Sequence, residues 1–198
     1  MLGQVIRTEG ITPNDEVSYG YYPGGQVAAV TSVAGIVRYT LDAGDRLSAI
    51  TSPVGSFAYG YNTNNGLVSG VSCASGVSVG YGFDLLDRAT NIVWQNATNG
   101  VVRSLRYQYS SAGMITNMVR ENGESAVFGY DELDRLTSEE WRNATNGVVH
   151  TAQYQYDLVG NRTQATVNGV SENYALTGGN RLTSWGSAGT RISIRLET

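Results

Sequence analysis

Aromatic and polar positions recur with a regular beat along this chain. Aromatic or large apolar side chains stand two apart at Tyr19/Tyr21, Tyr39/Leu41, Tyr59/Tyr61, Tyr81/Phe83, Tyr107/Tyr109, Phe128/Tyr130, Tyr154/Tyr156 and Tyr174/Leu176. Residues i and i+2 project from one face of a strand. Each pair runs into a short polar cluster rich in Asp, Asn and Gly, the clearest being YDELDRL at residues 130–136. The clusters begin 20 to 26 residues apart, and a second set of glycine-containing turns lies between them. This pattern predicts strand, turn, strand, turn: an all-β chain of tandem hairpins in an antiparallel sheet, with no amphipathic helix.

The first kind of turn reads as a three-residue hairpin loop, a type I turn followed by one left-handed residue that forms a G1 bulge. Asp131 takes the first position, where its carboxylate accepts from backbone N–H groups two residues on. Glu132 and Leu133 are right-handed, and Asp134 is left-handed. The same left-handed place falls on Gly25, Asp45, Asn65, Asp87, Gly113, Gly160 and Asn180, the residue types that tolerate it best. The second kind reads as a two-residue loop with φ positive at both positions. Asn99-Gly100, Asn122-Gly123, Asn146-Gly147 and Asn168-Gly169 fit it. Ala34-Gly35, Val54-Gly55, Ser75-Gly76 and Ala188-Gly189 are weaker relatives.

The heptapeptide NATNGVV occurs twice, at residues 96–102 and 143–149. In both units the two arms of the hairpin lengthen together, as paired arms must. Gly100 and Gly147 are therefore expected at the tips of longer hairpins, with φ positive, and an internal duplication is the simplest origin. The whole chain, residues 1–198, reads as one array. A partial unit covers 1–18, about eight units cover 19–189, and 190–198 begin a truncated unit, so the array looks cut from a longer one.

The phased motif resembles the YD repeat, also called the Rhs repeat, best in YDELDRL (130–136) and YDLVGNR (156–162). The resemblance spans roughly residues 19–196. Tyr22, Asn62, Ser110 and Thr177 replace the motif Asp in other copies. What the resemblance implies is a strip of hairpins that curves and spirals, and in long members closes into a shell around a C-terminal toxin polypeptide. It further implies a secreted or cell-surface location in a bacterium and, as partners, further YD repeats and possible toxin cargo. Eight units alone are expected to form an open strip too short to enclose a folded cargo.

Composition narrows the function. Net charge is −4, and all 13 basic residues are arginine, which argues against a nucleic-acid surface. No apolar run approaches the length of a membrane helix, and the N-terminus lacks the pattern of a signal peptide. The single cysteine, Cys73, excludes an internal disulfide. His150 is the only histidine, so neither it nor Cys73 is expected to be catalytic. Asp42/Asp45, Asp84/Asp87 and Asp131/Asp134 are explained by turn chemistry, and no run of oxygen ligands is dense enough for calcium. No cofactor, metal or catalytic site is expected. Arg46, Arg88, Arg135 and Arg181 are expected to be solvated or paired with acids of neighbouring units. The aromatic pairs read first as cross-strand packing, as do Trp94, Trp141 and Trp185. With the resemblance, this makes the chain a non-catalytic structural module, a segment of a YD-repeat shell or of a surface stalk; the alternative is a carbohydrate or cell-surface binding module stacking sugars on Tyr107, Tyr109, Tyr154 and Tyr156. Asn96, Asn143 and Asn161 each begin an N-x-Thr sequon, which a bacterial origin would leave bare.

Overall fold

The computed structural model describes residues 4–9, 15–187 and 190–193; the Ala188-Gly189 turn and residues 194–198 lie outside them. Every regular element among the described residues is a strand. The chain divides into two compact units, Met1–Ser104 and Leu105–Thr198.

In the first unit the strands are β1 (Arg7–Thr8), β2 (Val17–Tyr21), β3 (Val27–Ser32), β4 (Gly35–Leu41), β5 (Leu47–Ser52), β6 (Gly55–Tyr61), β7 (Val68–Cys73), β8 (Ser78–Phe83) and β9 (Ala89–Gln95). Each pairs antiparallel with the next. The strand β10 (Val101–Tyr109) crosses the division. The second unit continues with β11 (Ile115–Arg120), β12 (Ser125–Tyr130), β13 (Leu136–Arg142), β14 (Val148–Tyr156), β15 (Arg162–Val167), β16 (Val170–Leu176), β17 (Leu182–Ser187) and β18 (Thr190–Ser193). From β10 onward each again pairs antiparallel with its successor. The predicted all-β succession of hairpins is what the chain forms.

Cross-strand partners share a face, so the register sorts the side chains. One face carries rows such as Tyr39–Ile50–Phe57–Cys73 and Tyr59–Val71–Val79–Trp94 in the first unit. In the second unit it carries Tyr107–Met118–Ala126–Trp141–His150 and Phe128–Glu139–Ala152. The other face carries rows such as Gly20–Ala29–Arg38–Thr51–Ser56 and Thr40–Ala49–Ala58–Ser72–Ser78–Gln95 in the first unit, and Gln155–Gln164–Asn173 in the second. Among the described residues only Ala126, Ala152 and Ala165 are buried hydrophobics. Ala126 lies opposite Trp141 and Ala165 opposite Tyr154, so small residues sit beneath the large rings.

The turns depart from expectation. Two kinds were predicted, yet the type I plus left-handed loop serves both ends of many hairpins. Asn96 N–H donates to the Gly100 carbonyl and Asn99 N–H to the Asn96 carbonyl, and the same pair of bonds closes residues 143–147, 120–124 and 73–77. The left-handed residue is Asn99 (φ 59°) in one NATNG loop and Asn146 (φ 65°) in the other; Gly100 and Gly147 have no positive φ. The expectation for these two glycines is therefore corrected: the loop is five residues long, and glycine only closes it. In the Cys73–Val77 and Arg120–Glu124 loops the left-handed residues are Gly76 (φ 85°) and Gly123 (φ 84°). Only Asn168-Gly169, among the described turns, is a two-residue loop with both φ positive, at 48° and 81°. Val33-Ala34 and Pro53-Val54 form the other two-residue loops, one residue earlier than predicted, with the positive φ on Gly35 and Gly55 just after them. A second correction concerns Asn65. Its loop is one residue longer, closing from Asn62 to Leu67, and the left-handed place passes to Gly66 (φ 73°).

Beyond the bulge expected at the left-handed residue, each motif turn is followed by a further β-bulge just inside the next strand. The extra residue is Ser48, Ser69, Thr90, Thr116, Thr137, Thr163 and Thr183 in successive units, with Ala28 in the first. Its hydroxyl can donate back across the hairpin, from Ser48 to the Thr40 carbonyl (3.1 Å) and from Thr183 to the Ala175 carbonyl (2.9 Å). A bulge of this kind disrupts the ladder locally and re-aims the strand.

Candidate functional site

The motif residues meet at the junction between successive hairpins. Asp131 Oδ1 accepts from the N–H groups of Leu133 and Arg135, both at 3.0 Å. Its Oδ2 takes the Arg135 Nε at 2.6 Å. Asp134, at φ 58°, completes the turn. Asp42 with Arg46 and Asp84 with Arg88 repeat this arrangement. Asp157 repeats it with Asn161, and Gly160 (φ 91°) holds the left-handed place. The backbone N–H and then the guanidinium of Arg135 hold the Asp131 carboxyl below its ordinary range. For Asp42 the Arg46 guanidinium is the larger cause, and for Asp157 the Asn161 amide. These arginines thus pair with the acid of their own turn, not with acids of neighbouring units.

The first motif residue then reaches back one unit. Tyr61 Oη donates to the Leu47 carbonyl (2.7 Å), Tyr130 Oη to the Ile115 carbonyl (2.8 Å) and Tyr156 Oη to the Leu136 carbonyl (2.7 Å). Each acceptor immediately precedes a bulge residue, so the hydroxyl satisfies a carbonyl beside the interrupted ladder. The arginine of the earlier turn lies over the same ring: Arg46 over Tyr61 at 4.2 Å and Arg135 over Tyr156 at 4.8 Å. Arg135 Nη1 also donates to the Asp157 carbonyl at 3.0 Å. Tyr, Asp and Arg of the motif are therefore one clamp, in which a turn is fixed by Asp and joined to the next unit by Arg and Tyr.

A second cluster occupies the aromatic face of the longest second-unit hairpin. The Glu139 carboxylate accepts from Tyr154 Oη at 2.6 Å and Trp141 Nε1 at 3.2 Å, with His150 Nε2 at 3.8 Å. Partial burial opposes ionisation of Glu139, but the bonds from Tyr154 and Trp141 hold its carboxyl below the usual range. Desolvation and then this carboxylate push the Tyr154 phenol up to about 12. Arg162 lies over the Tyr154 ring at 4.2 Å, and Phe128 meets Trp141 edge to face at 6.3 Å. The carboxylate has no partnerless oxygen, and the rings of Tyr154 and Tyr156 are each covered on one side by a guanidinium. Tyr107 stands opposite Met118 and Tyr109 opposite Ile115, on strands flanking the same face. All four tyrosines are half-buried. No local pattern around Glu139 marks it as the centre of a network.

His150 and Cys73 belong to different compact units. The Cys73 thiol bonds Ser75 Oγ at 2.6 Å, which lowers its pKa, and it borders an open groove of about 180 Å³ with Phe57, Val77 and Trp94. Among the described residues no group of three or more His, Cys, Asp or Glu is placed to hold a metal ion.

This is the architecture of a tandem hairpin repeat whose motif side chains join unit to unit, as expected from a motif that resembles the YD repeat. Solved toxin structures carry the same fold. The crystal structure of TcdB2-TccC3-TEV matches with TM-score 0.72 at 15% identity over 85% of this chain. That of TcdB2-TccC3 matches with TM-score 0.72 at 14% identity. The Photorhabdus luminescens Tc holotoxin pore carrying the TccC3-D651A mutation matches with TM-score 0.68 at 18% identity. The present chain spans about a tenth of each of those chains, 10% in every case. No family model matches the chain, and no curated protein does.

Proposed function

We propose that this chain is a non-catalytic wall segment of a YD-repeat shell that delivers a polypeptide toxin. The observation that carries this reading is the clamp. The residues that define the motif are spent on turn closure and on the next unit, which is the work of a scaffold rather than of a pocket. The likeness in fold to toxin-complex chains supports the toxin-delivery context, and with it an extracellular destination. In this reading residues 1–198 are one array, and its partners are further YD repeats of the same or a longer polypeptide, with a toxin as cargo. Sugar stacking on Tyr107, Tyr109, Tyr154 and Tyr156 finds no support beside it.

Cryo-electron microscopy of the complete product of the reading frame tests the proposal. The expected result is a closed wall that contains these hairpins and surrounds additional polypeptide density. An extended stalk with solvent on both faces of the sheet would contradict it.

A further inference from the structure

Against the expectation that all three sequons stay bare, we propose that Asn96 and Asn143 are acceptor sites for N-linked glycosylation, and that the same geometry denies this modification to the third sequon, Asn161. In most loops of this shape with a carboxylate, Asp does the work of the first position, as at Asp42, Asp84, Asp131 and Asp157. The NATNG loops use asparagine with the same oxygen. Asn96 Oδ1 accepts from the Thr98 N–H (3.0 Å), the Gly100 N–H (2.9 Å) and the Thr98 hydroxyl (2.8 Å). Asn143 Oδ1 accepts from the Thr145 N–H (3.1 Å), the Gly147 N–H (2.8 Å) and the Thr145 hydroxyl (2.9 Å). All the side-chain bonds that hold each residue end on Oδ1, and the turn makes no use of Nδ2.

The fifth loop position explains why Nδ2 stays open. In the motif turns a side chain there covers the second atom of the first residue, as Arg135 Nε covers Asp131 Oδ2 and Asn161 Nδ2 covers Asp157 Oδ2. Both NATNG loops carry glycine instead. A Cβ at Gly100 would stand 3.1 Å from Asn96 Nδ2, and one at Gly147 would stand 3.2 Å from Asn143 Nδ2. Glycine is not required there for backbone conformation, because neither φ is positive. Residues 96–100 of the first loop and 144–147 of the second are exposed, and Asn143 itself is half-exposed. Asn161 is the opposite case: its Nδ2 already donates to Asp157 Oδ2 at 2.9 Å and Asn180 Oδ1 at 3.0 Å.

Divergence between the two copies points the same way. Positions 47 residues apart have changed from Cys73 to Arg120, Val77 to Glu124, Ile92 to Glu139 and Arg103 to His150, while NATNGVV is unchanged. The loop alone does not demand Ala-Thr at its second and third positions, which hold Leu-Leu, Glu-Leu and Leu-Val in other units. An N-x-Thr acceptor does demand the threonine. The reaction joins Nδ2 to the anomeric carbon of a diphosphate-activated glycosyl donor. The bond from that carbon to the diphosphate oxygen breaks, the diphosphate leaves with the electron pair, and Nδ2 gives up one proton to the transferase base.

The test incubates the folded chain in two arms, one with an oligosaccharyltransferase and a lipid-diphosphate oligosaccharide, the other with a soluble N-glucosyltransferase and a nucleotide-activated hexose. A free NATNG-containing peptide is the positive control in each. Peptide mass spectrometry should find glycan on Asn96 and Asn143 in at least one arm, which identifies the donor class, and none on Asn161. Thr98→Ala should remove the addition at Asn96 alone, and Thr98→Ser should restore it. An unmodified folded chain beside a modified control peptide, or equal modification of Asn161, would overturn the proposal.

Discussion

Trp94 and Trp141 stand at the same place in two copies of one hairpin, yet the grooves beside them have opposite chemistry. Beside Trp94 the walls are Phe57, Val71, Cys73, Val77 and Val79. Beside Trp141 they are Arg120, Glu124, Arg142, Val149 and His150. Cys73 and Val77 are the first and last residues of one five-residue loop, and Arg120 and Glu124 are the first and last residues of the other. In the second copy those ends form an ion pair at 2.8 Å, and Arg120 lies 5.2 Å from the Trp141 ring. One backbone thus carries an apolar lining in one copy and a charged lining in the other. Loop, bulge and register dictate the backbone; side chains on a half-exposed face are free to diverge around it.

The largest expected effect probes how closely the loops pack in the two copies. A Cβ on Gly76 would lie 2.8 Å from Ala97 Cα and Cβ, whereas one on Gly123 would lie 3.5 Å from Ala144 Cα. Both positions have positive φ, so alanine costs about 1–2 kcal/mol at either. Gly76→Ala should cost about 1–3 kcal/mol more through overpacking. Urea denaturation of the two variants measures the gap, and equal destabilisation would break the comparison.

Next in size is the junction bond. Tyr156→Phe removes the hydroxyl from the Leu136 carbonyl and should cost about 1 kcal/mol; thermal unfolding reads it. Phe83 already occupies this place in the first copy, where Tyr130 stands in the second. Phe83→Tyr should therefore be neutral or stabilising.

The Glu139 network sharpens the contrast through pH. The Tyr154 phenol is raised to about 12 in the folded chain, against roughly 10 when unfolded. Its contribution is fully present below the unfolded value and is lost as pH rises from about 10 through about 12. Glu139→Ile, which installs the residue of the first copy, should lower the Tyr154 titration midpoint. Ultraviolet titration of tyrosinate measures it, and an unchanged midpoint would remove Glu139 from the account.

The smallest effect concerns the turn acids. Their folded pKa values are depressed, so their contribution is present above about pH 4 and fades as pH falls through the folded values. Asp131→Asn should leave the loop closed, because Asn96 and Asn143 close the same loop, while losing the charge of the pair with Arg135. The acid limb of the stability curve should become shallower without a change of fold, as circular dichroism across the acid range would report.

Much of this was legible in the chain. Phased Tyr, Asp and Gly positions gave the hairpins and the motif turn, because turn chemistry is local. Asn99 and Asn146 hold the left-handed place of longer loops rather than opening Asn-Gly pairs, and Asn-Gly fits a two-residue loop equally well. Only the hydrogen bonds from Asn96 and Asn143 show that the loop begins three residues earlier. The bulges left a local trace, the Ser or Thr two residues past the motif arginine or asparagine. The reach of Tyr156 to Leu136 and the gathering of Tyr154, Trp141 and His150 around Glu139 left none, because they depend on register across strands.

Native-state hydrogen exchange on the Tyr130→Phe/Tyr156→Phe double variant tests the junction clamp most directly. In a chain of near-neighbour units, losing a junction bond loosens the hairpins on either side of it. Protection should fall for backbone amides of β11 to β15 and stay at the parent level in β2 to β8. Unchanged protection in β11 to β15, or an equal loss along the whole chain, would contradict the claim that the YD motif is the fastening between successive repeats.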